Sequence, residues 1–221
     1  MKASDGNKCG TLPILPAPKT VSIPPNRIRG VSMESFEDRV LRLFDTLHPL
    51  DRIARAGYVV RGVAHPESVA AHSHFVSVLT LLFVEEYPEQ FDRDKALAMA
   101  LIHDLAEAKL MDIPMPYADA YLNEAKDIAE QAIFEDMFRG FPEKFARYHQ
   151  ELLDAQTPEA RLIRGLDKAQ MMIKTLYYER ERSGYLEEFW TGPANFRDYN
   201  VEPVSRLFDA ICAQAGRARP R

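Results

Sequence analysis

Apolar residues recur at helical intervals along most of this 221-residue chain, and the pattern starts near Ser32. Phe36, Val40, Leu43, Phe44 and Leu47 form an i, i+4, i+7 stripe that predicts a first helix. Pro49 interrupts it, a short helical segment is expected over 50–56, and Gly57 should end that segment. Residues 58–65 read as an irregular connection, and 58–63 carry the chain's only strand flavour. Pro66 suits the first turn of a helix and Glu67 suits its dipole, so a helix is predicted over 67–87. That helix is uniformly apolar after His74 and should lie inside the fold. A central helix is predicted over 93–109, followed by a proline-stopped turn over 111–116. A polar-faced helix should occupy 118–138 and a shorter one 143–153. Thr157-Pro158-Glu159 marks the start of a long helix to about residue 182, with the stripe Leu162, Leu166, Ala169, Ile173 and Leu176. Ser183-Gly184 stops it, 185–199 reads as an aromatic loop, and a last helix spans 201–215. The predicted class is all-α.

One stretch breaks its own pattern. Residues 98–108 are apolar on nearly every side, which predicts a buried central helix around which the chain is built. The same stretch carries His103, Asp104 and Glu107. At about 100° per residue, His103 and Glu107 share a face and Asp104 flanks it. Burying an imidazole and two carboxylates without partners costs several kcal/mol, comparable with a domain's net stability. A divalent metal compensates that cost, and so would Arg or Lys partners in the core. His72 sits on the preceding inner helix and Asp167 at the edge of the long stripe. On spacing alone Asp167 is not distinguishable from other acids such as Asp154.

Four segments carry a resemblance. Pro66-Glu-Ser-Val-Ala-Ala-His72, then Ala100-Leu-Ile-His-Asp-Leu-Ala-Glu107, then Asp112-Ile-Pro114, then Leu166-Asp-Lys168 resemble the HD-domain metal-dependent phosphohydrolases, in the 5′-deoxynucleotidase-like branch. The match covers about residues 36–180. It implies a helical bundle of about six to eight helices over residues 31–217, with a short tail at 218–221. It also implies that His72, His103, Asp104 and Asp167 hold one divalent ion. Manganese, cobalt, zinc, iron and magnesium all accept such ligands. Two positions depart from the family: Tyr58 stands near its usual Trp, and Met111 stands where a Gly precedes the acid matching Asp112. Binuclear relatives recruit histidines between the His-Asp pair and the last Asp. Only His149 falls there, beside a polar helix end expected to be exposed, which favours one ion.

The expected chemistry is phosphomonoester hydrolysis, with (deoxy)nucleoside 5′-monophosphates as the substrate class that the resemblance implies. A divalent ion activates water near neutral pH and polarises a phosphoryl oxygen. Glu107 is the expected proton carrier, or else it orients a ligand. Arg55, Arg61 and Tyr58 form a short basic loop that would receive one phosphate, and Asp112 matches the family's sugar contact. Alternatives are a nucleoside-triphosphate or alarmone phosphohydrolase, or a catalytically silent regulatory HD protein.

Composition adds limits. A net charge of −5 gives no general attraction to nucleic acid or an anionic membrane. Cys9 and Cys212 sit at opposite ends and build neither a disulfide framework nor a Cys zinc site, which suits the cytoplasm. The apolar run 76–84 is too short to span a bilayer. Prolines at 13, 16, 18, 24 and 25 predict that residues 1–30 are a flexible, Pro-rich arm. A small-molecule substrate is the expected partner, and the resemblance also suggests a homodimer.

Overall fold

Side chains that cap helices lay down the bundle. The computed structural model describes residues 34–122 and 124–220, so the expected arm lies outside the described residues. Ser35 accepts from Asp38 N, and Asp38 reaches back to Ser35, starting α1 (Phe36–Leu47) with a capping box. Ser68 caps α3 (Val69–Glu86), Asp92 caps α4 (Arg93–Ile102) and Thr157 caps α9 (Pro158–Arg180), each accepting a backbone N–H of the first turn. Between them lie the short α2 (Ala56–Val59), α5 (Glu107–Leu110) and α6 (Met115–Tyr117). Longer helices α7 (Glu124–Met137) and α8 (Lys144–Asp154) precede α9. The chain closes with α10 (Glu187–Thr191) and α11 (Glu202–Ala215). Among the described residues there is no strand, only an isolated bridge between Ala54 and Ser68. The fold is all-α.

The centre of the bundle is α9, not the stretch 98–108. α3, α4, α8 and α11 all pack against it. Leu162, Ile163, Leu166, Ala169 and Met172 are fully buried along it. By contrast α4 buries one side only, and Leu101 is 61% exposed. The stripe on α1 is likewise not core, for Phe36 and Phe44 are mostly exposed. α3 is 18 residues, long and apolar enough to cross a membrane by length and composition. One side of it packs against α4 and α9, and its His72 is fully buried.

Three local expectations change. Gly57 lies inside α2, after a 3-10 turn at His48–Asp51, rather than ending a helix. The polar-faced helix begins at Glu124, after a wide π turn over Ala118–Leu122. The aromatic region 185–199 is not an open loop: α10 and a 3-10 turn at Pro193–Phe196 bury Trp190 and Phe196 against the core. Aromatic side chains supply that anchoring, each removing a large apolar area from water.

Candidate metal centre and its cavity

The central helix breaks where its chemistry begins. α4 ends at Ile102 because the His103 ring takes the Ala100 carbonyl, Nδ1 to O at 2.8 Å. The following backbone bonds close tighter i to i−3 turns: Glu107 N to Asp104 O at 3.1 Å, Ala108 N to Leu105 O at 3.1 Å. His103 and Asp104 therefore sit on a turn, and Glu107 opens α5 instead of continuing one straight face.

Two hydrogen bonds fix the imidazole tautomers. A backbone carbonyl only accepts, so His103 carries its proton on Nδ1. His72 Nδ1 lies 2.6 Å from Gln170 Oε1, while Gln170 Nε2 donates to both Glu67 oxygens at 3.0 and 3.3 Å. The Glu67 carboxylate thus orients the amide, the amide oxygen faces His72, and His72 also carries its proton on Nδ1. Both Nε2 atoms are left to take a metal or a second proton, and both are buried without a hydrogen-bond partner.

They converge on carboxylate oxygens. His72 Nε2 is 3.1 Å from Asp167 Oδ1 and 3.5 Å from Asp104 Oδ2, and His103 Nε2 is 3.3 Å from Asp104 Oδ2. Asp104 Oδ2 is itself buried without a hydrogen-bond partner. Ligating atoms of His72, His103 and Asp104 lie within 4.8 Å of one another. An imidazole nitrogen and a carboxylate oxygen at these distances repel unless a proton or a metal cation stands between them. The donor set, imidazole nitrogen with carboxylate oxygen, fits a divalent transition metal.

Arg55 holds the acids together. Its Nη1 is 3.0 Å from Asp112 Oδ1 and 3.5 Å from Asp104 Oδ2, and its Nη2 is 3.7 Å from Asp167 Oδ1. Asp112 also accepts from the backbone N of Ala56, pinning the start of α2. Burial works to raise the Asp104 pKa, but His103, His72 and Arg55 outweigh it and hold the group anionic. Asp167 is held down in the same way by Lys168, His72 and Arg55 against its burial. Glu107 goes the other way. Burial and then the Asp104 charge push its pKa well above the usual carboxylate range, and its Oε2 has no hydrogen-bond partner.

These groups line a cavity of about 1010 Å³, at the upper end of the range for small-molecule sites. Among the described residues seven carboxylates and five cations face it, so bound divalent charge favours entry of an anionic substrate. Arg61 and Tyr58 are also on its wall, in changed roles. Arg61 is engaged by Glu188, Nε to Oε2 at 2.6 Å. Tyr58 is 1% exposed: its ring stacks on Phe189 with centroids 5.1 Å apart, and its hydroxyl donates to Met171 O at 2.6 Å. The expected open stacking surface is already occupied by the protein.

Gln170, Lys126 and Arg164 were not among the expected site residues, and Lys168 stood only in the Leu166-Asp-Lys168 motif without a role; Lys126, Arg164 and Lys168 line the cavity. A signal existed for two of them: Arg164 and Gln170 stand three residues either side of Asp167, one helical turn away. None existed for Lys126, which comes from the polar-faced α7. His149, expected at an exposed helix end, is buried and stacked on Phe134 with centroids 4.3 Å apart.

Residues 48–199 match the HD-domain family over more than half of the chain. The chain belongs to the HD-domain family. This HD-domain chain is 28% identical over 186 residues to the 5′-deoxynucleotidase HDDC2 of Xenopus laevis, covering 81% of this chain and 89% of that protein. It is 27% identical to the human 5′-deoxynucleotidase HDDC2, over 79% of this chain and 85% of the relative. Among solved structures, a conserved hypothetical protein from Pyrococcus furiosus is 32% identical at a TM-score of 0.66, covering 77% of this chain and 98% of that one. A predicted metal-dependent phosphohydrolase from Magnetospirillum magnetotacticum shares the fold at 20% identity and a TM-score of 0.60, over 83% of this chain and 95% of that one.

Proposed function

We infer that this HD-domain chain is a metal-dependent phosphomonoester hydrolase that converts (deoxy)nucleoside 5′-monophosphates to nucleoside and inorganic phosphate. The observation that carries the reading is the pair of buried Nε2 atoms of His72 and His103, without hydrogen-bond partners and aimed at Asp104 and Asp167 beside a nucleotide-sized cavity. In this reading His72, His103, Asp104 and Asp167 hold the divalent cofactor. Once bound, the ion supplies an activated water and charge neutralisation at the phosphoryl group. The chain's own residues do the rest. Glu107, its carboxyl pushed up by burial and then by the Asp104 charge, gives a proton to the leaving nucleoside oxygen. Asp112, fixed by Arg55 and Ala56 N, offers an acceptor for a sugar hydroxyl. Residues of α6 and α7 complete one wall of the cavity.

The choice of nucleotide monoesters is supported by curated relatives named 5′-deoxynucleotidases. The acidic net charge and the lack of any cysteine framework in the sequence support a cytoplasmic small-molecule enzyme over a nucleic-acid binder. The test is a panel of phosphate esters assayed for phosphate release with manganese, cobalt or zinc supplied. Nucleoside 5′-monophosphates should lead the panel. Release of pyrophosphate or tripolyphosphate from triphosphates, or activity on diesters alone, would overturn the monoesterase reading.

A further inference from the structure

Among the described residues five cations line the cavity, and four of them already face a carboxylate of the chain. Arg55 serves Asp112, Asp104 and Asp167, Arg61 serves Glu188, Lys126 pairs with Glu130, and Lys168 Nζ is 3.7 Å from Asp167 Oδ2. Arg164 is the exception. Among the described residues its guanidinium forms no ion pair, and its Nε is shut off from solvent without a hydrogen-bond partner. Its neighbour is an aromatic ring, Tyr199, whose centroid lies 5.7 Å from Cζ.

A guanidinium withdrawn from water has lost hydration and, here, gained Tyr199 and the nearby charge of Asp167, with no carboxylate in ion-pair contact among the described residues. Its place on the helix tells what would repay that loss. Arg164 stands three residues before Asp167 on α9, so the two side chains leave the helix on one face, with Cβ atoms about 5–6 Å apart. Both line the same cavity. A phosphoryl oxygen held near Asp167 is thus within an arginine's reach. The Tyr199 ring is laid beside the guanidinium by a turn in which Tyr199 and Asn200 both have positive φ, 52° and 61°. That turn steadies the fork before any ligand arrives.

We propose that Arg164 is the cavity's phosphate-binding cation, gripping non-bridging phosphoryl oxygens of the substrate while Arg55 and Arg61 neutralise and shape the acidic wall. The proposal rests on the phosphomonoester reading above. An arginine suits the task because its planar fork meets two oxygens at once, whereas a lysine meets them as a point charge.

Inorganic phosphate, the product of the proposed reaction, is the probe. Full-length, manganese-loaded protein is titrated with phosphate in a calorimeter, beside Arg164→Gln and Arg164→Lys, with metal content and melting temperature recorded for each. Arg164→Gln should keep its metal and lose phosphate affinity by about tenfold or more. Arg164→Lys, which keeps the charge and is expected to fold, should fall between the two. On a hydrolysed ester the Gln variant should raise KM more than it lowers kcat. Wild-type affinity in the Gln or Lys variant, or no phosphate binding by the wild type, overturns the assignment. If phosphate binds through Arg164 but no ester is hydrolysed, the enzymatic reading fails and this assignment stands. If esters are hydrolysed and Arg164→Gln binds phosphate like the wild type, the reverse holds.

Discussion

His72 Nδ1 donates to Gln170 Oε1 across 2.6 Å, although 98 residues separate the two in the chain. Glu67 orients the amide from behind, so the three form a line that leaves His72 Nε2 bare and aimed into the site. Outer partners of this kind typically contribute 10–100-fold in metal affinity. Gln170→Leu is expected to weaken manganese binding by about that factor, read by metal titration of chelator-treated protein. Affinity within about twofold of wild type would remove Gln170 from the site's support.

Glu107 and Asp104 lie close together and titrate in opposite directions, Glu107 raised by burial and Asp104 held low by His103, His72 and Arg55 against its own burial. Environments that push two carboxyls apart assign one as ligand and the other as proton donor. Glu107→Gln keeps the shape and loses the transferable proton. Turnover should fall by about 100-fold or more with metal content unchanged. Equal turnover in that variant takes Glu107 out of the mechanism.

Met111 adopts φ 69° and ψ 164°, a backbone region that a side chain reaches only under strain of about 1–3 kcal/mol. Its side chain is 54% exposed, so little packing holds it there. The strained peptide leads directly into Asp112, which Arg55 and Ala56 N fix in place. Met111→Gly should stabilise the protein by about 1 kcal/mol after the extra chain entropy of glycine is subtracted. Urea unfolding measures it, and a less stable glycine variant refutes the strain argument.

His149 is buried against Phe134, its Nδ1 2.8 Å from Gln131 Oε1, and burial pushes its pKa down to about 4. An unfolded histidine titrates near 6.5, so between these values the unfolded chain binds the extra proton. The neutral ring's contribution is complete above about pH 6.5 and is lost as pH falls toward 4, by roughly 3 kcal/mol in all. His149→Leu should flatten the stability curve across that window relative to wild type, with both proteins held in chelator. Parallel curves would show that His149 does not set the acid limb.

What the sequence determined by itself is whatever a single turn can encode. Thr157 announced the start of α9 because a cap bonds a backbone N–H two or three residues away, whereas the caps Ser35, Ser68 and Asp92 were not singled out and periodicity placed those starts only to within a few residues. The 3.6-residue period gave the all-α class, and the family's motifs singled out His72, His103, Asp104 and Asp167 before any distance was known. Local spacing failed where a side chain competes with the backbone: the His103 ring takes the Ala100 carbonyl and ends α4, which periodicity cannot foresee. The tertiary structure alone decided the partners. Packing made α9 the axis and turned Tyr58 into a core ring under Phe189. It also closed Arg55 onto three acids and left Arg164 facing the cavity with no ion pair among the described residues. Each of those outcomes depends on which apolar faces bury one another, and burial sets the strength of every charge it encloses.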